Sequence, residues 1–331
     1  MANTTMNQVE LGKGGPRVSA LGLGCMGMSG MYGASDDAES IRTIHAAMER
    51  GVTLIDTGDF YGMGHNEMLI GRAIAGRRDQ VFLSVKFGAL RAPDGSWLGM
   101  EMRPQAVKTF LAYTLKRLGV DAIDLYRPAR LDPSVPIEDT IGAIADCVKA
   151  GWVRHVGLSE VGVETIRRAH AVHPIRDLQI EYSLASRAPE DKLFPALREL
   201  GVSATLYGVF SRGLLTGSKP QGAGDFRAHL PRFAGDEGAK NAAVVAAFAE
   251  LAKQKGTTPA GLALAWVMAR QPGFVPVVGA RRVTQIEDAL AALDRPLSTD
   301  DLAQIERVVP KGVFAGPRYQ AAQMAHLDSE K

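Results

Sequence analysis

Eight apolar runs alternate with amphipathic segments along this chain, and that alternation constrains the fold more than any other feature. The runs are VSALGLGCMG (18–27), VTLIDTG (52–58), VFLSVKFG (81–88), AIDLYRPA (122–129), VRHVGLSE (153–160), LQIEYSL (178–184), VSATLYGVF (202–210) and FVPVVGA (274–280). Each is nearly continuous in hydrophobicity, as expected of parallel strands covered on both faces. Between them lie helix patterns. DDAESIRTIHAAMERG (36–51) has an acidic start, Ile41, Ile44 and Met48 at helical spacing, and Gly51 as a stop. RPQAVKTFLAYTLKRLG (103–119) carries Pro near its start and Gly at its end. IEDTIGAIADCVKAG (137–151) and APEDKLFPALRELG (188–201) repeat the plan, the latter with a proline inside it.

Eight such units make a single-domain α/β (β/α)8 TIM barrel the economical reading. The rival, a doubly wound sheet, needs a glycine fingerprint running straight into a helix. Here GMYGAS intervenes after the glycines of the first run. One unit is expected over 1–331, with a short N-terminal extension, a core over about 9–310 and a tail, 311–331, over the barrel mouth. The Gly-rich segment 211–238 after the seventh run is expected to be a lid or binding loop.

Charge and composition exclude several classes. The formal net charge is +2 without a long basic run, so neither nucleic acid nor an anionic membrane is the expected partner. Cys25 and Cys147 form no CxxC and fit a reducing compartment. The polar start MANTTMNQVE has no signal core, and no apolar run approaches the ~20 residues of a membrane span. The expectation is a cytoplasmic protein acting on a small molecule, with self-association into a homo-oligomer left open.

Active sites of such barrels lie at the C-terminal ends of the strands. The second run ends in DTGDFYG and supplies Asp56 and Tyr61; the third ends in SVKFG and supplies Lys86. An ammonium late in an apolar strand is costly without a partner, and Asp56 is the candidate. A phenol beside that ammonium has its phenolate favoured, so its pKa is expected to fall from about 10 toward neutrality. Such a phenol serves as a general acid toward a carbonyl oxygen. In the fourth run, alternation puts 125, 127 and 129 on one side. Either Arg127 points inward and pairs, with Asp56 a candidate, or Pro128 breaks the alternation and turns it outward.

Short motifs follow one another over nearly the whole chain: GLGCMGMS (22–29), DTGDFYG (56–62), NEMLIGRAI (66–74), SVKFG (84–88), VGLSE (156–160), EYSLASR (181–187), SRGLLTG (211–217) and VPVVGARR (275–282). In this order they resemble the aldo-keto reductase family, in the bacterial, plant and fungal branch related to potassium-channel β subunits. The resemblance implies NADPH-dependent reduction of aldehyde or ketone carbonyls. Asp56, Tyr61 and Lys86 match three of the family's four catalytic residues; the fourth, a histidine, belongs where Ala129 stands. Ser159 and Gln179 match the positions that hydrogen-bond the nicotinamide amide, with Glu160 next, and Tyr207 matches the aromatic that stacks on the ring. Arg281 and Arg282 match the basic pair at the adenosine 2′-phosphate, with Gln285 and Asp288 along the adenosine. The resemblance also brings Gly24, Met26, Gly208, Phe210, Ser211, Arg212, Gly213, Leu215 and Gly279 to the cofactor, and Tyr32, Phe87, Arg127 and Ala129 to the substrate pocket. GVFS (208–211) stands where Ser-Pro-Leu-Gly is usual, and Ala289 where Asn is common.

Without the imidazole such a site lacks its second oxyanion donor, a group worth roughly 10²–10³ in rate. The vacated volume favours ketones in ring systems over small aldehydes. His65, four residues after Tyr61, is the alternative source of an imidazole. His155, His170 and His173 show no metal spacing, and no metal is expected. The rival functions are an NADPH-binding regulatory subunit with slow turnover and a reductase of conjugated C=C bonds.

Overall fold

The computed structural model describes residues 6–220, 222 and 225–331. The start of the chain (1–5) and residues 221, 223 and 224 of the long segment after the seventh run lie outside the described residues. Eight parallel strands close into a barrel, in chain order around the ring. They are β1 Gly22–Gly24, β2 Leu54–Gly58, β3 Phe82–Phe87, β4 Ile123–Pro128, β5 Val153–Ser159, β6 Ile175–Glu181, β7 Ser203–Tyr207 and β8 Val275–Gly279. Around them run α1 Asp37–Glu49, α2 His65–Ala73, α3 Pro104–Leu118, α4 Ile137–Lys149, α5 Val163–Val172, α6 Leu193–Leu200, α7 Gly235–Gln254, α8 Pro259–Arg270, α9 Val283–Ala291 and α10 Thr299–Val308. The α/β barrel read from the sequence is therefore the fold.

Local chemistry sets the helix ends. Asp36 accepts the amide of Glu39 and starts α1; Ser298 and Asp301 form a reciprocal capping box on α10. Pro104 opens α3, where its missing N–H costs nothing. Gly119 and Gly201 end α3 and α6 at φ 65° and 67°, a left-handed backbone that only glycine adopts without a Cβ penalty. The proline inside the segment 188–201 is accommodated because α6 begins only at Leu193. Pro195 thus sits in the first turn, where no intrahelical donor is needed.

One expected strand is two. The run 18–27 splits into Arg17–Ser19, which pairs antiparallel with Gln8–Glu10, and the short barrel strand β1. The Ser19 hydroxyl donates to Leu21 O and accepts the amide of Thr53, fixing the turn between them. A second hairpin after β3, Ala89–Arg91 with Trp97–Met100, leaves Trp97 and Leu98 exposed.

The barrel interior is built in levels. At the floor Leu54, Phe82, Leu125, Val275 and Val277 form an apolar cluster closed from below by Leu11 and Val18 of the N-terminal hairpin. That hairpin approaches so closely that a Cβ on Gly12 would lie 2.7 Å from the carbonyl of Arg176. A separate, larger core fills the space between the barrel and its helices. Above the floor the interior becomes polar.

Candidate active site

The middle of the barrel is an ionic network. Arg127 is fully buried and points inward. Its Nη1 lies 2.5 Å from Asp177 Oδ2 and 2.9 Å from Thr205 Oγ1, and its Nη2 donates to Ser84 Oγ at 2.7 Å. Pro128 therefore does not break the alternation. The ion-pair partner is Asp177 of β6, not Asp56; Ser84 is the link between the two, donating to Asp56 Oδ2 at 2.8 Å. Gln179 donates to the same oxygen at 2.8 Å. Asp56 thus holds Lys86 with Oδ1, at 2.5 Å, while its other oxygen accepts two neutral donors. A carboxylate tethered at both oxygens fixes the ammonium in place.

Tyr61 follows β2 in a tight turn with Gly62 and Met63 both left-handed, at φ 55° and 51°. Asn66 stitches this turn to the loop after β1. It accepts from Thr57 Oγ1 at 2.7 Å and donates to Cys25 O and Ser29 Oγ, each at 2.8 Å. The buried Tyr61 ring packs edge-on against Phe60, with the Lys86 ammonium 5.2 Å from its centroid. The pKa expectation for Tyr61 is reversed. Burial, then the charge of Asp56, then Tyr32 push its pKa well above the usual phenol value. Burial also lowers the pKa of Lys86, although Asp56 raises it. Tyr61 therefore stands as a neutral phenol.

The other expected positions are distributed unevenly. Ala129 is buried at the end of β4, its amide donating to Phe87 O at 2.9 Å. His65 is not a substitute imidazole: Nδ1 meets Ser29 Oγ at 2.9 Å and Nε2 meets Asp37 Oδ1 at 3.1 Å. Phe87, expected in the pocket, belongs to the barrel–helix core. It stacks on Tyr126 at 4.3 Å and faces Phe110 of α3, because alternation turns it away once Lys86 points in. Leu215 is likewise a core side chain, leaving only its backbone for a ligand.

Among the cofactor positions, Gly24 ends β1 beside Gly279 of β8, where an added Cβ would meet open space. Met26 follows β1 in a 3-10 turn, and Phe210 precedes another. Ser159 ends β5 with a buried hydroxyl that has no partner among the described residues. Gly208, Ser211, Arg212 and Gly213 share positive φ and form the turn after β7. Arg212 pairs with Glu181 at 2.7 Å and Ser211 meets Ser183 at 2.8 Å. Arg227 of the following segment lies over the Tyr32 ring, so the loops after β1 and β7 meet above the mouth. Arg281 donates through Nη1 to Tyr32 O at 3.0 Å and Ala34 O at 3.1 Å, while Arg282 is exposed at the N-cap of α9. Gln285 accepts the amide of Arg281, and Asp288 accepts from Thr258.

Residues 318–330 form a strap that the sequence placed over the mouth without assigning any contact. Arg318 binds Glu160 at 2.5 Å, Glu181 at 3.3 Å and Glu330 at 2.7 Å. Although burial pushes the Glu160 carboxyl up, the Arg318 guanidinium brings it down to about 2. Tyr207 donates to Glu160 at 2.8 Å, and its hydroxyl lies 3.0 Å from that of Tyr319. Asp328 accepts from the amide of Gly162 at 2.8 Å and from Thr165 at 2.7 Å, capping α5. Sequence reasoning missed Arg318 and Tyr319, which reach these partners across more than a hundred residues. It also passed over Arg130, whose signal was a second cation beside Ala129.

The closed parallel barrel thus carries a buried Lys–Asp pair beside a tyrosine at its strand ends. The sequence model of the Aldo/keto reductase family matches residues 20–310, and this chain belongs to that family. It is 39% identical over 328 residues to "Probable aldo-keto reductase 1" of Glycine max, covering 96% of this chain and 93% of that one. It is 37% identical over 315 residues to "Aldo-keto reductase yakc [NADP(+)]" of Schizosaccharomyces pombe, covering 92% and 93%. Among solved structures it is similar to the glycerol dehydrogenase AKR11B4 from Gluconobacter oxydans. The TM-score is 0.83 and the identity 26%, over 96% of this chain and 98% of that one. It is also similar to the aldo-keto reductase AKR11C1 from Bacillus halodurans, with a TM-score of 0.73 and 26% identity over 93% and 98%. Family membership supports carbonyl reduction as the general class of chemistry.

Proposed function

We propose that this chain reduces aldehyde or ketone carbonyls to alcohols with NADPH, and that Tyr61 is the general acid. The observation that carries the reading is the Lys86–Asp56 pair buried against Tyr61 at the mouth of the barrel. The residues present fit a nicotinamide cofactor. The Ser159 hydroxyl is a buried polar atom without a partner among the described residues, as a carboxamide ligand requires, and open space adjoins Gly279. Tyr207 offers an aromatic ring nearby, and Arg282, exposed at the start of α9, suits a phosphate. The relative from Schizosaccharomyces pombe carries NADP(+) in its name.

When bound, the cofactor supplies a hydride to the substrate carbon. The Tyr61 hydroxyl donates its proton to the carbonyl oxygen. The Lys86 ammonium stabilises the phenolate that this transfer leaves, and Asp56 favours the charged form of Lys86 against the lowering by burial. Ser84 and Gln179 hold Asp56, so the proton donor rests on a chain of fixed dipoles.

The test is NADPH oxidation by dialysed protein over a panel of aldehydes and ketones, repeated with Tyr61→Phe. Turnover by the wild type and a fall in kcat of about 10²-fold or more in the variant, with NADPH binding retained, is the expected result. Tight NADPH binding without turnover on any carbonyl would point to a regulatory subunit, and a saturated ketone formed from an enone to a C=C reductase. Undiminished turnover in Tyr61→Phe would move the proton donor elsewhere.

A further inference from the structure

The missing imidazole leaves a question that Arg127 does not answer, because its guanidinium is bound within the middle of the barrel by Asp177, Thr205 and Ser84. Three residues on, Arg130 differs in every respect. It leaves β4 at the mouth, where it is half-buried. Among the described residues its guanidinium has one hydrogen-bond partner, the carbonyl of Ala129 itself, 2.6 Å from Nη1. No described carboxylate lies within ion-pairing distance. The cation therefore lies beside the position where the side chain is truncated, with Nε and Nη2 uncommitted.

Its surroundings are those of the reacting centre. Its charge acts on Tyr61 and Lys86, and it is acted on by Tyr207, Tyr319, Glu160 and Arg318. Glu160 does not neutralise it directly, since that carboxylate is taken by Arg318, Tyr207 and Ser329. A guanidinium offers planar N–H donors and a charge that does not titrate below pH 12.

We propose that Arg130 is the second oxyanion donor of this site, giving a hydrogen bond to the substrate carbonyl oxygen beside Tyr61 in place of the imidazole that Ala129 lacks. The inference rests on the carbonyl-reductase reading above. Two consequences separate this arrangement from one with histidine. The donor cannot itself transfer a proton, so Tyr61 alone acts as acid. Because the donor does not change charge near neutrality, kcat/KM has no imidazole limb between about pH 6 and 7.

The experiment measures kcat, KM and NADPH affinity for the wild type, Arg130→Met and Arg130→Lys, with one small aldehyde and one ring ketone. Circular dichroism confirms folding. The expected result for Arg130→Met is a fall in kcat of about 10²-fold or more, the usual loss for an oxyanion donor, with NADPH affinity within threefold. Low millimolar guanidinium chloride then restores at least tenfold of the lost rate, and sodium chloride at equal ionic strength does not. Arg130→Lys, which keeps the charge but not the planar fork, falls between and guards against a folding defect in the Met variant. Placing Ala129→His in the Arg130→Met background recovers turnover and introduces a limb near pH 6.5. Unchanged kcat in both Arg130 variants, a loss confined to NADPH affinity, or a lost rate that guanidinium does not restore would each overturn the assignment. A wild type inactive on every carbonyl would instead sink the functional reading on which it depends.

Discussion

The floor and the mouth of this barrel are made by the same eight strands, yet they solve opposite problems. At the floor, Leu54, Phe82, Leu125 and Val275 fill the interior and the N-terminal hairpin seals it, so nothing there is free to react. At the mouth, the Ser159 hydroxyl has no hydrogen-bond partner among the described residues, and the Arg130 guanidinium has one. Between them Arg127, Asp177, Ser84, Thr205 and Asp56 form an ionic level whose central guanidinium and carboxylate pair with each other. Charge at the middle level is matched within the protein. At the mouth the Arg130 guanidinium has no described carboxylate partner. Two arginines three residues apart on one strand end, Arg127 and Arg130, fall on opposite sides of that division.

The sharpest way to break the comparison is Arg127→Leu. It leaves the Asp177 carboxylate buried without its partner, a change that costs about 3–5 kcal/mol. Urea denaturation reads it, and the double variant Arg127→Met, Asp177→Leu recovers most of the loss. Little change in the single variant would mean that the middle level is no more closed than the mouth.

An effect of similar size comes from Asp59, just beyond β2. Burial, then the neighbouring Glu67, push its pKa up to about 7, and its Oδ1 has no partner among the described residues. Because the folded state holds this proton more tightly than the unfolded chain, stability is lost as pH rises from about 4 through 7. Asp59→Asn removes that loss. The variant is expected to match the wild type at pH 4 and to exceed it at pH 8 by on the order of 4 kcal/mol, about three pKa units at ~1.36 kcal/mol each. Parallel stability–pH curves for the two proteins would contradict the shift.

The smallest expected effect sharpens the comparison at the rim. Replacing Arg281 and Arg282 by alanine should weaken NADPH at least tenfold, about 1.4 kcal/mol, while barely changing NADH. Isothermal titration with both cofactors checks it. Arg281 also ties down the carbonyls of Tyr32 and Ala34, so the single variants separate the two roles. Equal weakening of both cofactors would assign the pair to loop anchoring rather than to a phosphate.

The barrel was legible in the sequence because it rests on local quantities. Continuous apolar runs, a proline at the start of α3 and glycines at the ends of α3 and α6 each act within a few residues of where they stand. The same holds for Asp56, Tyr61 and Lys86, which mark strand ends. The split of 18–27 was not legible, since a hairpin strand and a barrel strand have the same apolar texture. Only the serine hydroxyl at 19, satisfied from a distant strand, distinguishes them. The direction of Arg127 and its partner depended on which residue the closed ring sets opposite it, and that was Asp177, fifty positions away. The reversed pKa of Tyr61 followed from burial, a property of the assembled site and not of the motif. The strap's hold on Glu160 and Tyr207, and the freedom of Arg130, were likewise decided in three dimensions. Hydrophobic pattern and turn chemistry act along the chain, and the sequence alone determined what they control. Pairing and dielectric environment act across space, and only the closed barrel could set them.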